Sequence, residues 1–158
     1  MIKHSIIFLS LIAFNATSAE ITIISNSRST YKEFNFTDNS KYSIIEQLGQ
    51  WTDSIGNYGS TECLGLIKKD DQDTIKFLDV TCEMIDQNNI VTWRKFERVG
   101  SEIERGVGVS TIIDTTSKYR DSLIGTKCKY AVNRTKDMVF SKAVCDISEE
   151  LLRKLSEH

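Results

Sequence analysis

The chemistry open to this chain is limited first by a shortage. Its two histidines are His4, inside an apolar leader, and His158, the last residue. Serine–histidine and cysteine–histidine nucleophiles, imidazole metal sites and histidine acid–base steps therefore lack the residues they need. Carboxylates are the common catalytic device that remains. Glu97 and Glu104 flank Gly100-Ser101, and Lys95 lies two residues before Glu97. If Gly100-Ser101 closes a hairpin, Glu104 stands beside Glu97, Gly106 beside Lys95 and Gly108 beside Trp93. Two carboxylates sharing a buried site do not both ionise cheaply, so one would be held protonated or paired with Lys95. That is a route to a general acid, or to a group that orients a ligand.

Strand parity decides whether these residues face inward. Over 75–85, Cys82 shares a face with Leu78, Val80 and Met84, while Asp79, Thr81 and Glu83 share the other. With the cysteine face as the inner one, pairing across a turn at Gln87-Asn88 puts Trp93 near Cys82, Lys95 near Val80 and Glu97 near Leu78. The interior then holds Trp93, Lys95, Glu97 and Glu104. Asp79, Glu83, Arg94, Arg98 and Arg105 form a salt-bridged exterior. A slip of one residue would send every one of the inward set outward.

The four cysteines are even in number and contain no CxxC knuckle, so disulfides are expected rather than a zinc site. Cys63 and Cys82 are nearly opposite across a reversal at Asp70-Asp71-Gln72-Asp73. Cys128 and Cys145 stand in the same relation across 133–137. Two hairpins, each stapled across its strands, is the simplest of the three possible connectivities.

Oxidised cysteines require an oxidising destination, and the amino terminus supplies a route to one. Lys3, the apolar run from Ile6 to Phe14, and Thr17-Ser18-Ala19 before Glu20 read as a signal peptide over 1–19. The run is too short to span a bilayer as a helix. This leaves 20–158 as one domain. Charges are interleaved along the chain, whose net formal charge is −2 over all 158 residues, so no electrostatic footprint for nucleic acid or an anionic membrane surface exists. Asn35-Phe36-Thr37 and Asn133-Arg134-Thr135 match the glycosylation sequon.

The elements that must position these residues read as strands. Short runs rich in Ile, Val, Thr, Tyr, Phe and Trp fall at 20–25, 31–37, 42–51, 58–68, 74–85, 90–99, 102–113, 122–132 and 136–146, and no proline interrupts them. Asp86-Gln87-Asn88-Asn89 and Gly100-Ser101 suit close turns, and 114–117 a wider connection. Only the tail reads as helix: Ser148 caps it, Glu149 and Glu150 follow, and Leu151, Leu152 and Leu155 form an apolar stripe. Hairpin-linked antiparallel strands in one domain leave no free edges if they close. The expected fold is all-β, a small antiparallel up-and-down barrel of about eight strands with a short C-terminal helix. A two-sheet sandwich is the competing architecture.

Two segments resemble known barrels. Gly49-Gln50-Trp51 resembles the Gly-x-Trp opening of calycins, in which the tryptophan plugs the closed end. Gly106-Val107-Gly108-Val109 with the stretch from Asp114 to Gly125 resembles part of the allene-oxide-cyclase-like barrels, although Asp114 and Thr116 replace turn glycines there. The resemblance implies an internal cavity and carries no catalytic residue to any position of this chain. A secreted or periplasmic barrel follows as the expectation, binding a small apolar molecule with Trp51 and Trp93 as floor and wall and Lys95, Glu97 and Glu104 as polar contacts. No metal or cofactor is expected. The alternatives are a cofactor-free isomerase or cyclase using Glu97 or Glu104, and a solid barrel acting as an inhibitor or envelope interaction protein.

Overall fold

The computed structural model describes residues 18–100 and 102–157. The expected leader lies outside the described residues except for Ser18 and Ala19, which already pair with Ser148 and Ile147. Eight strands follow in order: β1 (Ser18–Asn35), β2 (Lys41–Asp53), β3 (Tyr58–Lys69), β4 (Ile75–Asp86), β5 (Val91–Glu97), β6 (Arg105–Thr115), β7 (Lys127–Thr135) and β8 (Met138–Ser148). Each pairs antiparallel with its sequence neighbour, and β8 returns to β1, closing the barrel. A 3₁₀ helix (Lys118–Leu123) precedes β7, and helix α1 (Glu149–Ser156) ends the chain.

Two of the expected runs, 20–25 and 31–37, belong to one strand. β1 is the seam of the barrel, pairing with β8 over Ser18–Arg28 and with β2 over Ile23–Asn35. Its middle carries no apolar signal because Ser25, Ser27 and Ser29 have the parity of the lumen face, and Ser27 and Ser29 are buried.

Four connections share one geometry. In Phe36–Ser40, Asp53–Asn57, Asp70–Thr74 and Asp86–Ile90 the first amide donates to the fifth carbonyl, and the fourth residue has positive φ (Asn39 61°, Gly56 95°, Asp73 59°, Asn89 60°). Asn, Asp and Gly are the residues that tolerate this left-handed conformation. In the three turns that begin with aspartate, its Oδ1 accepts the amides two and four residues on.

The barrel has two unlike ends. One is closed by the 3₁₀ helix and by α1, whose start is capped as expected: the Ser148 hydroxyl accepts the Leu151 amide. Leu155 packs there with Ile21, Ile112, Leu123 and Ile147. The Arg120 guanidinium meets the fully buried Asp86 carboxylate at 2.6 Å on the same side. The other end carries only loops, including the β5–β6 connection. Among the described residues, no helix is long and apolar enough to cross a membrane.

Both expected disulfides are present, Cys63–Cys82 and Cys128–Cys145, each joining residues directly opposite in adjacent strands with Cα atoms 4.0 and 4.1 Å apart. All four cysteines face inward and are buried. The two bridges join β3 to β4 and β7 to β8, on different parts of the wall. They suit an oxidising, extracellular or periplasmic setting.

Candidate ligand site in the barrel lumen

The cysteine face of β4 is the inner face, as parity predicts: Leu78, Val80, Cys82 and Met84 are buried. The strand after it is one residue out of the expected register. Cys82 pairs with Arg94 and Val80 with Phe96, because the Asp86–Ile90 turn is symmetrical about Asn88 rather than lying between Gln87 and Asn88. The β5–β6 connection is also longer than a Gly100-Ser101 hairpin. β5 ends at Glu97 and β6 begins at Arg105, so Glu97 faces Val109 rather than Glu104.

Odd-numbered residues of β5 therefore point outward and even-numbered ones inward. Trp93 donates its indole N–H to Glu83 at 3.1 Å on the outer face. Lys95 lies there between Asp79 at 3.1 Å and Glu97 at 3.3 Å, and the Asp79 hydrogen bond, then that of Glu97, raises its pKa. Glu104 is exposed in the β5–β6 connection, where its carbonyl accepts the Arg134 amide. Of the sequence-predicted contacts only Trp51 is inward. It sits at the plugged end, lining a small chamber with Ile112 and Leu155 and donating its indole N–H to the Ser60 carbonyl at 3.0 Å.

Arg94 and Arg98, expected on a solvated exterior, are buried inside the barrel. They line a cavity that runs from Ile23 and Arg94 at mid-barrel to Tyr31, Ile103 and Arg134 at the loop end. It offers about 80 Å³ to the centres of water-sized occupants, several times the roughly 10–15 Å³ that one enclosed water needs. Arg94, Met84 and Ile23 also border the chamber at the plugged end, which measures about 70 Å³ in the same terms.

The two sides of the cavity differ in character. Ile45, Ile67, Leu78 and Val80, with the Cys63–Cys82 bridge, make an apolar wall from β2 to β4. Beside it, β5 supplies Arg94, Phe96 and Arg98, and across the barrel β7 supplies Tyr130 and Arg134. Phe96 and Tyr130 meet edge to face with centroids 5.2 Å apart. Tyr130 has room because β6 offers Gly108, where a Cβ would lie 2.6 Å from the tyrosine ring. Hydroxyls complete the polar side: Ser25 bonds Ser141 at 2.8 Å, and Ser27 donates to Gln47 at 3.4 Å.

Arg94 is 2% exposed. Its Nη2 donates to the Ser110 hydroxyl at 2.7 Å and lies 4.0 Å from the Cys145 sulfur, and its guanidinium lies 5.3 Å from the Phe96 centroid. Its Nε finds no acceptor, and neither do Nε and Nη1 of Arg98 or Nε of Arg134. Arg98 reaches the Ile103 carbonyl at 3.4 Å. Arg134 stacks 4.0 Å over Tyr31 and donates to Ser29. Among the described residues none of the three is in an ion pair, and no carboxylate lines the cavity. Burial pushes Arg94 down to about 10. It does the same to Arg134, against the attraction of Asp137, and lowers Arg98, against Tyr130 and Glu104. All three remain cations at neutral pH, in a place where a charge is costly to keep.

The loop end has its own polar seal. Lys69 pairs with Glu33 at 2.9 Å, and Lys41 with Asp73 at 2.7 Å. The lysine hydrogen bond is the main reason that the Glu33 carboxyl is held below its ordinary range. Neither a family model, a curated protein nor a solved structure matches the chain.

Proposed function

We propose that this protein is an exported binding barrel that holds a small, largely apolar molecule in its lumen. The observation that carries the reading is the cavity bounded by the β2–β4 wall, β5 and β7: largely apolar, with a few polar groups converging on it, the usual composition of a small-molecule site. Export is supported by the leader-like residues 1–19 and by the two disulfides. The calycin-like resemblance is supported by the place of Trp51 at the plugged end, and by Gly49, where a Cβ would lie 2.1 Å from the Asn26 carbonyl oxygen.

A cyclase or isomerase reading that relies on Glu97 or Glu104 has less support, since both carboxylates stand outside the barrel. A solid interaction barrel has less support for a different reason, since space remains inside.

Native mass spectrometry of the freshly purified, oxidised protein tests the proposal. A retained molecule is expected as a mass excess that organic solvent releases. A variant that fills the space, Val80→Phe, should fold and carry none. The absence of any excess in the wild type, or an equal excess in the filled variant, would remove the reading.

A further inference from the structure

Buried cations in this chain are handled in two ways. Arg120 lies at the plugged end against the Asp86 carboxylate, and Lys69 at the loop end against Glu33. These are structural cations, each neutralised by an acid from the same chain. Arg94, Arg98 and Arg134 have no such partner, although the barrel brings all three to one cavity. Arg94 lies in the interior with a free Nε, and Arg98 above it on β5 with a free Nε and Nη1. A guanidinium has five donors in a fixed fork that matches a carboxylate. An unpaired charge removed from water is unfavourable unless something else supplies the counter-charge.

The apolar wall limits what that counter-ion can be. A bare inorganic anion would satisfy the arginines and leave Ile45, Ile67, Leu78 and Val80 facing open space. A nucleotide would set a polar sugar and base against the same apolar wall. A short apolar body carrying one negative group fits both sides of the lumen.

We infer that the lumen binds a small organic monoanion, its carboxylate or equivalent group against Arg94 and Arg98 and its hydrocarbon body against the β2–β4 wall. This rests on the lumen-binding reading and adds to it the charge of the ligand. Arg134, stacked on Tyr31 at the loop end, lies where the anion would enter.

Hexanoate and hexan-1-ol share a chain and differ in the headgroup, so NMR titration of the oxidised protein with each separates body from charge. Hexanoate at neutral pH should bind at least tenfold tighter than hexan-1-ol, and tighter than acetate, with shifts centred on Phe96, Ser110 and Tyr130. Arg94→Met should bring hexanoate down to the affinity of the alcohol while leaving the alcohol bound. Should Arg94→Met fail to fold, Arg98→Met should lower hexanoate affinity in the same direction. Equal binding of acid and alcohol, or an Arg94→Met protein that still prefers the acid, overturns the inference and leaves a neutral-ligand barrel standing. Acetate binding as tightly as hexanoate overturns the role of the apolar wall. If neither six-carbon probe enters the lumen, both this inference and the binding reading fall.

Discussion

Replacing the Arg94 guanidinium with an apolar chain of similar length separates a group kept for folding from one kept for binding. Its folded pKa lies below its ordinary value because burial disfavours the cation, so the native state holds that proton less well than the unfolded chain does. The sign follows: the destabilisation is complete at neutral pH and fades only as pH rises above about 10. Removing the charge also orphans the buried Ser110 hydroxyl, so the informative variant is Arg94→Met with Ser110→Ala. By analogy with buried ionic groups exchanged for apolar ones, it should be more stable than wild type by about 1–3 kcal/mol in the ligand-free protein. Urea unfolding of ligand-stripped protein reads this directly. A loss of stability larger than about 1 kcal/mol would mean that Arg94 holds the barrel together.

At the scale of strands and turns, the Asp86–Ile90 turn decides more than any other element, because it sets the parity of β5. The fold was legible from period-two patterning, missing prolines and the Ser148 cap, and both disulfides from cysteines opposite across polar reversals. The candidate site was not, for one physical reason. A strand has two faces, so a one-residue error in a turn exchanges the whole set of inward residues. Trp93, Lys95 and Glu97 took the place of Arg94, Phe96 and Arg98. The signal that could have found the register is the recurrence of Asp53, Asp70 and Asp86 three residues before Gly56, Asp73 and Asn89, which suit a left-handed position. Charged residues inside a barrel carry no such mark in composition. Asp86 also does two jobs, accepting the Asn88 and Ile90 amides and pairing with Arg120. Asp86→Ala loses both and should cost about 3–5 kcal/mol, whereas Asp86→Asn with Arg120→Met keeps an amide acceptor, removes both charges and should lose much less. Equal losses in chemical denaturation would show that the ion pair is not what makes Asp86 matter.

For the whole molecule, the two disulfides act on the unfolded chain and are guarded by the folded one. They join residues 19 and 17 apart in sequence, so each should contribute about 3 kcal/mol by restricting the unfolded ensemble. Because both bridges face the lumen and their cysteines are almost fully buried, a thiolate meets neither sulfur directly from bulk solvent. Dithiothreitol with iodoacetamide should therefore label the native protein far more slowly than the same protein in urea, and the native rate should follow the frequency of opening. Peptide mapping of the unreduced protein should return the 63–82 and 128–145 links. A 63–145 or 63–128 link would contradict the closed meander. Rapid labelling in native buffer would mean that the sulfurs are reached through the lumen, without global opening of the barrel.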